Sequence, residues 1–126
     1  MTVVLDASAV LALLYREPGH EQVATCLDGA VISAVNWSEV RQKLAQHGAK
    51  PALADILIAL GADVLPFTAD AAVVAAGFWP VTRPRGLSLA DRACLAVARG
   101  AVDGVAVTAD AAWVGLDLGV PVRLIR

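Results

Sequence analysis

The sequence has few residues that build disulfide frameworks or soft-metal sites. It contains two cysteines, Cys26 and Cys94, and two histidines, His20 and His47. The cysteines lie far apart in helix-like contexts and fit neither a disulfide framework nor zinc-ligand spacing, so we expect both to pack as small hydrophobes. Each histidine stands alone among polar residues, which argues against a zinc cluster. Any metal site would therefore need oxygen ligands.

Long apolar runs and an excess of charge are also missing. The 126 residues are 58% hydrophobic, yet the apolar runs, such as Ile56–Ala62 and Ala71–Trp79, are much shorter than the roughly 18 residues that span a bilayer. The net charge of −2 gives no nucleic-acid signature, so a basic surface would have to be local. The sequence also shows no charged-then-apolar leader, and we expect a cytoplasmic protein without a membrane segment.

Short β-branched runs alternate with longer helical patterns along the chain. The length suits one domain, here residues 1–126. Continuously apolar strands separated by helices predict an α/β fold with a mostly parallel sheet and helices on both faces. Asn36 is expected to cap a helix that ends at His47, and residues 80–87 are expected to form a loop. Sites in such folds lie where strands end, so residues after strands are the first candidates.

Seven of the twelve acidic residues lie in polar, turn or helix-end settings that explain them, and five remain as candidates. They are Asp6, Glu39, Asp91, Asp110 and Asp117. Asp6 follows the apolar strand Thr2–Leu5, where an unpaired buried charge would be costly. Asp110 follows another strand, and Asp91 lies at the start of a helix on the same face as its apolar stripe.

Each acid also has a structural alternative. Asp6 could cap the following helix, although Ser8 is also available for that role. Asp91 could complete a capping box with Ser88, and Asp110 could cap a turn.

The remaining two acids have the weaker claim on local evidence. A turn before Gly119 is the favoured explanation of Asp117. An exposed pair with Lys43 or a capping arrangement with Asn36 would fully explain Glu39.

Carboxylates gathered at one edge of a parallel sheet would need a counter-charge. Mg²⁺ and Mn²⁺ prefer oxygen ligands, and such an ion can activate water and neutralise a phosphoryl transition state. The sequence has no Gly-x-x-x-x-Gly-Lys nucleotide cradle. Phosphodiester hydrolysis is therefore the leading prediction.

Four motifs in order resemble those of PIN domains. They are VVLDASA (Val3–Ala9), SAVNWSEV (Ser33–Val40), SLADRACLA (Ser88–Ala96) and TADAAW (Thr108–Trp113). Each motif is short, but their order, spacing and total length resemble the VapC-type toxins of bacterial toxin–antitoxin pairs over essentially the whole chain.

The resemblance implies a Mg²⁺- or Mn²⁺-dependent endoribonuclease that has a five-stranded parallel sheet, forms homodimers and is silenced by a cognate VapB-type antitoxin. The family's catalytic acids match Asp6, Glu39, Asp91 and Asp110, of which we assign Asp6, Asp91 and Asp110 to the metal. Glu39 rests on the resemblance rather than on local pattern. Ser8 and Thr108 match hydroxyl positions that could orient the carboxylates. Asp117 has no firm place in the motifs.

Three other interpretations remain open. A phosphatase of the haloacid dehalogenase type would need a second Asp at the position of Ser8. A two-component receiver would need paired acids after the first strand and an Asp after the third. A catalytically idle PIN fold that only binds RNA or an antitoxin is disfavoured by the intact acids.

The sequence also predicts a basic surface and an apolar surface. Arg83 and Arg85 precede the third motif, Arg92 lies within it, and the three could form a basic rim that contacts the phosphates of tRNA, rRNA or mRNA. The helix after Pro51 has more apolar residues than one face needs, so it could form part of a dimer interface or fill the core.

Overall fold

The computed structural model describes all 126 residues. Its five strands form one parallel sheet in the order β3-β2-β1-β4-β5. The strands are β1 (Thr2–Leu5), β2 (Val31–Ser33), β3 (Asp63–Leu65), β4 (Gly104–Thr108) and β5 (Val122–Leu124). The predicted α/β class and five-stranded parallel sheet are confirmed.

Seven α-helices connect and cover the strands. They are α1 (Ala7–Tyr15), α2 (His20–Cys26), α3 (Ala34–Gln46), α4 (Ile56–Ala59), α5 (Ala69–Gly77), α6 (Trp79–Thr82) and α7 (Leu89–Gly100). Short 3₁₀ turns lie at Pro51–Asp55, Arg83–Arg85 and Ala111–Trp113. No helix is both long and apolar enough to cross a membrane.

Both faces of the sheet are buried, which explains why the strands are continuously apolar. Side chains alternate between the faces. Val3 and Leu5 of β1 pack into a cluster with Val10 of α1 and Val40 of α3. The intervening Val4 packs into a second cluster on the opposite face, which α5 and α7 cover. The two helical layers hold the central strand β1 firmly between them.

Two sequence-based boundaries are wrong. Asn36 does not cap α3: the Ser33 hydroxyl accepts hydrogen bonds from the backbone N–H groups of Val35 and Asn36, so the helix starts earlier. Residues 80–87 are not an open loop, since α6 and the turn Arg83–Arg85 occupy most of them. Pro80 misled the prediction, because proline fits the first turn of a helix as well as a loop.

The strand order reverses at β1. Its neighbours are β2 on one side and β4 on the other, so the connections leave β1 and β4 in opposite directions at the carboxyl edge. A crevice opens at such a point in parallel α/β sheets. Asp6 directly follows β1 and Asp110 lies two residues after β4, so both are at this crevice.

Candidate active site

Asp6 is the buried centre of the crevice, with 3% of its surface exposed. It occupies the position before α1, but its carboxylate makes no capping bond to that helix. Its Oδ2 instead accepts hydrogen bonds from the hydroxyls of Ser8 (2.6 Å) and Thr108 (2.9 Å). Its Oδ1 is buried and has no partner. The carboxylate is therefore oriented by two hydroxyls and has one free oxygen.

Ser8 and Thr108 also bind the chain that leads to Asp110. The Ser8 hydroxyl accepts a hydrogen bond from the Ala109 N–H at 2.9 Å, and the Thr108 hydroxyl accepts one from the Asp110 N–H at 3.0 Å. Each hydroxyl thus donates to Asp6 and accepts from the loop after β4. The position of Asp110 is coupled in this way to that of Asp6.

Glu39 of α3 reaches the same crevice. It is half-buried, and its Oε2 has no hydrogen-bond partner. It forms no ion pair with Lys43, so the exposed pair that would have explained Glu39 is absent. The position of α3 is fixed partly by Asn36, whose buried amide donates to the Ala90 carbonyl of α7 at 2.9 Å.

Asp91 and Asp110 each line the cavity and also accept a hydrogen bond from a nearby backbone N–H. Asp91 Oδ2 accepts from the Ser88 N–H at 2.8 Å while the Ser88 hydroxyl accepts from the Asp91 N–H, so the capping box is formed. Asp110 Oδ1 accepts from the Ala112 N–H at 2.9 Å. The capping and the site interpretations of these acids are therefore compatible.

The four acids line one cavity of about 260 Å³. They come from four different elements, and none of them forms an ion pair. Burial, reinforced by the charge of Asp91, raises the pKa of Asp6 to about 6 against the hydrogen bond from Ser8. Burial also raises the pKa of Glu39 and of Asp91. The cavity thus holds more acidic than basic groups, and none of the four acids is paired with a cation.

The four acids offer the oxygen donors that a hard divalent ion prefers, but their side chains do not converge on one point. No three Asp, Glu, His or Cys side chains meet closely enough to form a preformed metal centre. The donor set is nevertheless all oxygen, and Asp6 Oδ1 and Glu39 Oε2 are buried without partners. A buried carboxylate oxygen without a partner can be satisfied by a bound hard cation.

Two basic residues that line the cavity were not among the predicted site residues. Lys43 of α3 and Arg126 line the cavity together with Glu17. Arg126 donates to the Pro18 carbonyl at 3.2 Å and lies 3.9 Å from the Glu17 carboxylate. Arg126 follows β5 at the same edge of the sheet, so applying the strand-end rule to every strand would have found it.

The three arginines expected to form a rim lie outside this cavity. Arg83 is exposed and stacks over the Trp79 ring, 4.9 Å from its centroid. Arg85 donates to the carbonyls of Ala112 and Val114, and Arg92 donates to the Leu87 carbonyl. Arg83 is thus the one whose guanidinium makes no hydrogen bond to the protein.

Asp117 is exposed, lies in a segment without regular structure and does not line the cavity. Cys94 is buried, whereas Cys26 is partly buried. Both pack against apolar clusters as expected.

Several solved structures share this fold. The chain of a toxin–antitoxin complex from Klebsiella pneumoniae matches with a TM-score of 0.75 and 15% identity, over 98% of each chain. VapBC2 from Rickettsia felis, bound to a promoter DNA fragment, matches with a TM-score of 0.71 and 13% identity, over 98% of each chain. The sarcin-ricin loop cleaving toxin VapC20 of Mycobacterium tuberculosis matches with a TM-score of 0.69 and 21% identity, over 94% of this chain and 99% of that one.

At these identities the likeness establishes the fold. No curated protein is significantly similar in sequence. The family model described as PIN domain, however, matches residues 3–117, which include the acids at both strand ends and on both helices. The chain therefore belongs to the PIN domain family.

Proposed function

We propose that the protein is a Mg²⁺- or Mn²⁺-dependent endoribonuclease and the toxin of a type II toxin–antitoxin pair that acts in the cytoplasm. One observation carries the proposal: four acids from four elements line one cavity, with no ion pair to compensate them. Oxygen-only donors favour a hard divalent cation. The PIN family match and the toxin neighbours favour RNA as the substrate.

In this proposal Asp6, Asp91 and Asp110 hold the ion. A divalent ion bound there would activate water and neutralise charge on the scissile phosphate. Ser8 and Thr108 keep Asp6 Oδ2 engaged, which leaves Oδ1 for the ion. Without the ion the raised pKa of Asp6, about 6, means that this carboxyl loses its proton less readily than an ordinary Asp.

Glu39 is assigned a role in the reaction rather than in binding the ion. Its Oε2 is buried and free of partners, and α3 carries it to the cavity apart from the strand ends that carry Asp6 and Asp110. Burial and the charge of Asp91 raise the pKa of Glu39, so its carboxyl holds a proton more readily than an ordinary Glu.

Two protein partners are part of the proposal. The structural neighbours include toxin–antitoxin complexes, and we infer a VapB-type antitoxin that covers the acidic cavity and brings an Arg or Lys towards it. A homodimer is expected to use the apolar residues at 53–60, between α3 and β3. Leu57 is buried there, but Leu53, Ile56 and Leu60 are each about half exposed, at 52–53%.

Metal dependence tests the proposal directly. Purified protein incubated with RNA should cleave it in Mg²⁺ or Mn²⁺, should stop cleaving in excess chelator and should work poorly in Zn²⁺. Cleavage that persists undiminished in chelator would contradict the proposal. RNA that is retained but never cleaved in any of the divalent ions would indicate the catalytically idle alternative.

A further inference from the structure

A second and larger cavity adjoins the acidic one. It is an open groove of about 790 Å³ between α3 and the first turn of α7. Its size falls within the roughly 300–1,000 Å³ typical of small-ligand sites. Glu39 and Lys43 line both cavities, so the groove begins where the acids end. A polymer whose backbone lies at the acids would have a neighbouring unit in this groove.

The lining of the groove is hydrogen-bonding and nearly neutral. Ser38, Gln42 and Gln46 recur every four residues along one face of α3, which makes a wall about 12 Å long. Glu39 and Lys43 are the only charged residues of the lining, and their charges are opposite. This composition favours an uncharged polar group over a row of phosphates.

The opposite wall supplies an apolar surface. Leu89 at the start of α7 lines the groove and remains 64% exposed. Gln42 and Gln46 are also exposed, and neither side chain makes a hydrogen bond within the protein. Amides that are free to donate and accept, opposite an apolar side chain, match the two needs of an unstacked nucleobase, a polar edge and an apolar face.

We propose that the groove between α3 and α7 binds the nucleobase next to the scissile phosphate, that Gln42 and Gln46 contact its edge, and that Lys43 contacts the intervening phosphate. The inference rests on the proposed function and adds a determinant of sequence preference to it. Single-stranded RNA is commonly recognised through such splayed bases. A glutamine that contacts a base edge with both its donor and its acceptor discriminates between bases, so the groove would set which bond is cut.

The test replaces both glutamines by alanine (Gln42→Ala with Gln46→Ala) and uses Gln22→Ala as the control outside the groove. All three glutamines are exposed on helices, but Gln22 lies on α2 and donates to the Ile125 carbonyl at 3.3 Å, so the melting temperature of each variant is measured as well. The probe is a short single-stranded oligoribonucleotide pool of randomised sequence. One arm sequences the new ends to give the base preference beside the cut. The other measures binding of the labelled pool by variants that also carry Asp6→Asn, so that RNA stays intact.

The double variant should lose the preference at one position beside the cut and bind the pool about tenfold more weakly, whereas Gln22→Ala should match the parent in both arms. An unchanged preference together with unchanged binding would overturn the inference but leave the ribonuclease proposal standing. If the parent never cleaves but the double variant still loses binding, the groove stands and the ribonuclease proposal fails. A change of molar mass in the double variant would mean that a second copy of the chain covers the groove, which also overturns the inference.

Discussion

Asp6 shows how burial and chemistry combine at one residue. A carboxylate that is 3% exposed and held by only two hydroxyls is costly when charged, so its protonated form is favoured in the folded protein without an ion. The same arrangement would favour a divalent ion, because the ion compensates the charge that burial penalises. In the proposed function, the burial of Asp6 thus lowers stability at neutral pH but supports activity, because the buried carboxylate binds the ion.

The raised pKa of Asp6 predicts a pH dependence of folding stability in chelator. Since the folded-state pKa, about 6, is above the usual 3.8, Asp6 stabilises the fold at low pH, and this contribution is lost as the pH rises through about 6. Relative to Asp6→Asn, the parent should lose on the order of 1 kcal/mol between about pH 5 and pH 7.5. Denaturant unfolding of both proteins at each pH measures the difference.

Magnesium provides the control for this prediction. At neutral pH it should raise the melting temperature of the parent and leave that of Asp6→Asn almost unchanged, because only the parent offers the buried carboxylate. A parent and variant with the same pH dependence would contradict the assignment of the raised pKa to Asp6.

The residues differ in how far their roles could be read from the sequence. Asp6 and Asp110 could be identified because acids that follow buried strands meet at one edge of a parallel sheet. Glu39 could not, since its place depends on how α3 packs, which the buried Asn36–Ala90 bond helps to fix. Arg126 follows β5 and was missed, because the strand-end rule was applied to acidic residues and the basic residues were predicted from the third motif instead.

At the scale of elements, the strands were predicted well and the helix starts less well. The bounds of β1 and β4 agree with the prediction because continuous apolar runs end there at polar residues. The start of α3 was misplaced because Ser33 and Asn36 are both good caps, and only the buried surroundings of Asn36 decide between them.

The loops that carry Asp91 and Asp110 are tied together by Arg85. Its guanidinium donates to the carbonyls of Ala112 and Val114, just after Asp110, while its own segment leads to Ser88 and α7. We therefore interpret Arg85 as a residue that positions two of the acidic loops. The rim prediction placed it instead among the groups that contact RNA.

Single substitutions separate these two roles within the former rim. Arg85→Ala should lower the free energy of unfolding by about 1 kcal/mol, because two carbonyls lose their donor. Arg83→Ala should have a smaller effect on unfolding but should weaken RNA binding and flatten its salt dependence, since Arg83 is exposed and forms no hydrogen bond. Denaturant unfolding and a salt titration of RNA binding measure the two effects. Equal effects of both variants on unfolding would contradict the division.

At the scale of the whole molecule, the proposed function requires an acidic protein to hold an acidic polymer. The net charge is −2 and the acids at the site add local repulsion. Lys43 and Arg126 offset this at the cavity, and exposed Arg83 adds a third cation at a distance from it. The composition alone gave no sign of this arrangement, because it depends on which side chains the fold brings to one edge.

The exposed apolar residues between α3 and β3 predict association of whole molecules. Leu53, Ile56, Ile58 and Leu60 are 44–53% exposed and close together in sequence, which is unusual for a monomer. Replacing Ile56 and Leu60 together by Ser should therefore convert a homodimer into a monomer in light scattering at micromolar concentration. A parent that is already monomeric under these conditions would refute the dimer.

The central claim, that the four acids form a ribonuclease site, is tested most directly by mapping new RNA 5′ ends in bacteria that express the chain. Asp6→Asn removes the buried charge with little change of shape, and Asp117→Asn makes the same change at an exposed acid outside the cavity. The account predicts discrete new 5′ ends with the parent and with Asp117→Asn, and none with Asp6→Asn at equal protein levels. The same new ends with Asp6→Asn, or none with the parent, would contradict it.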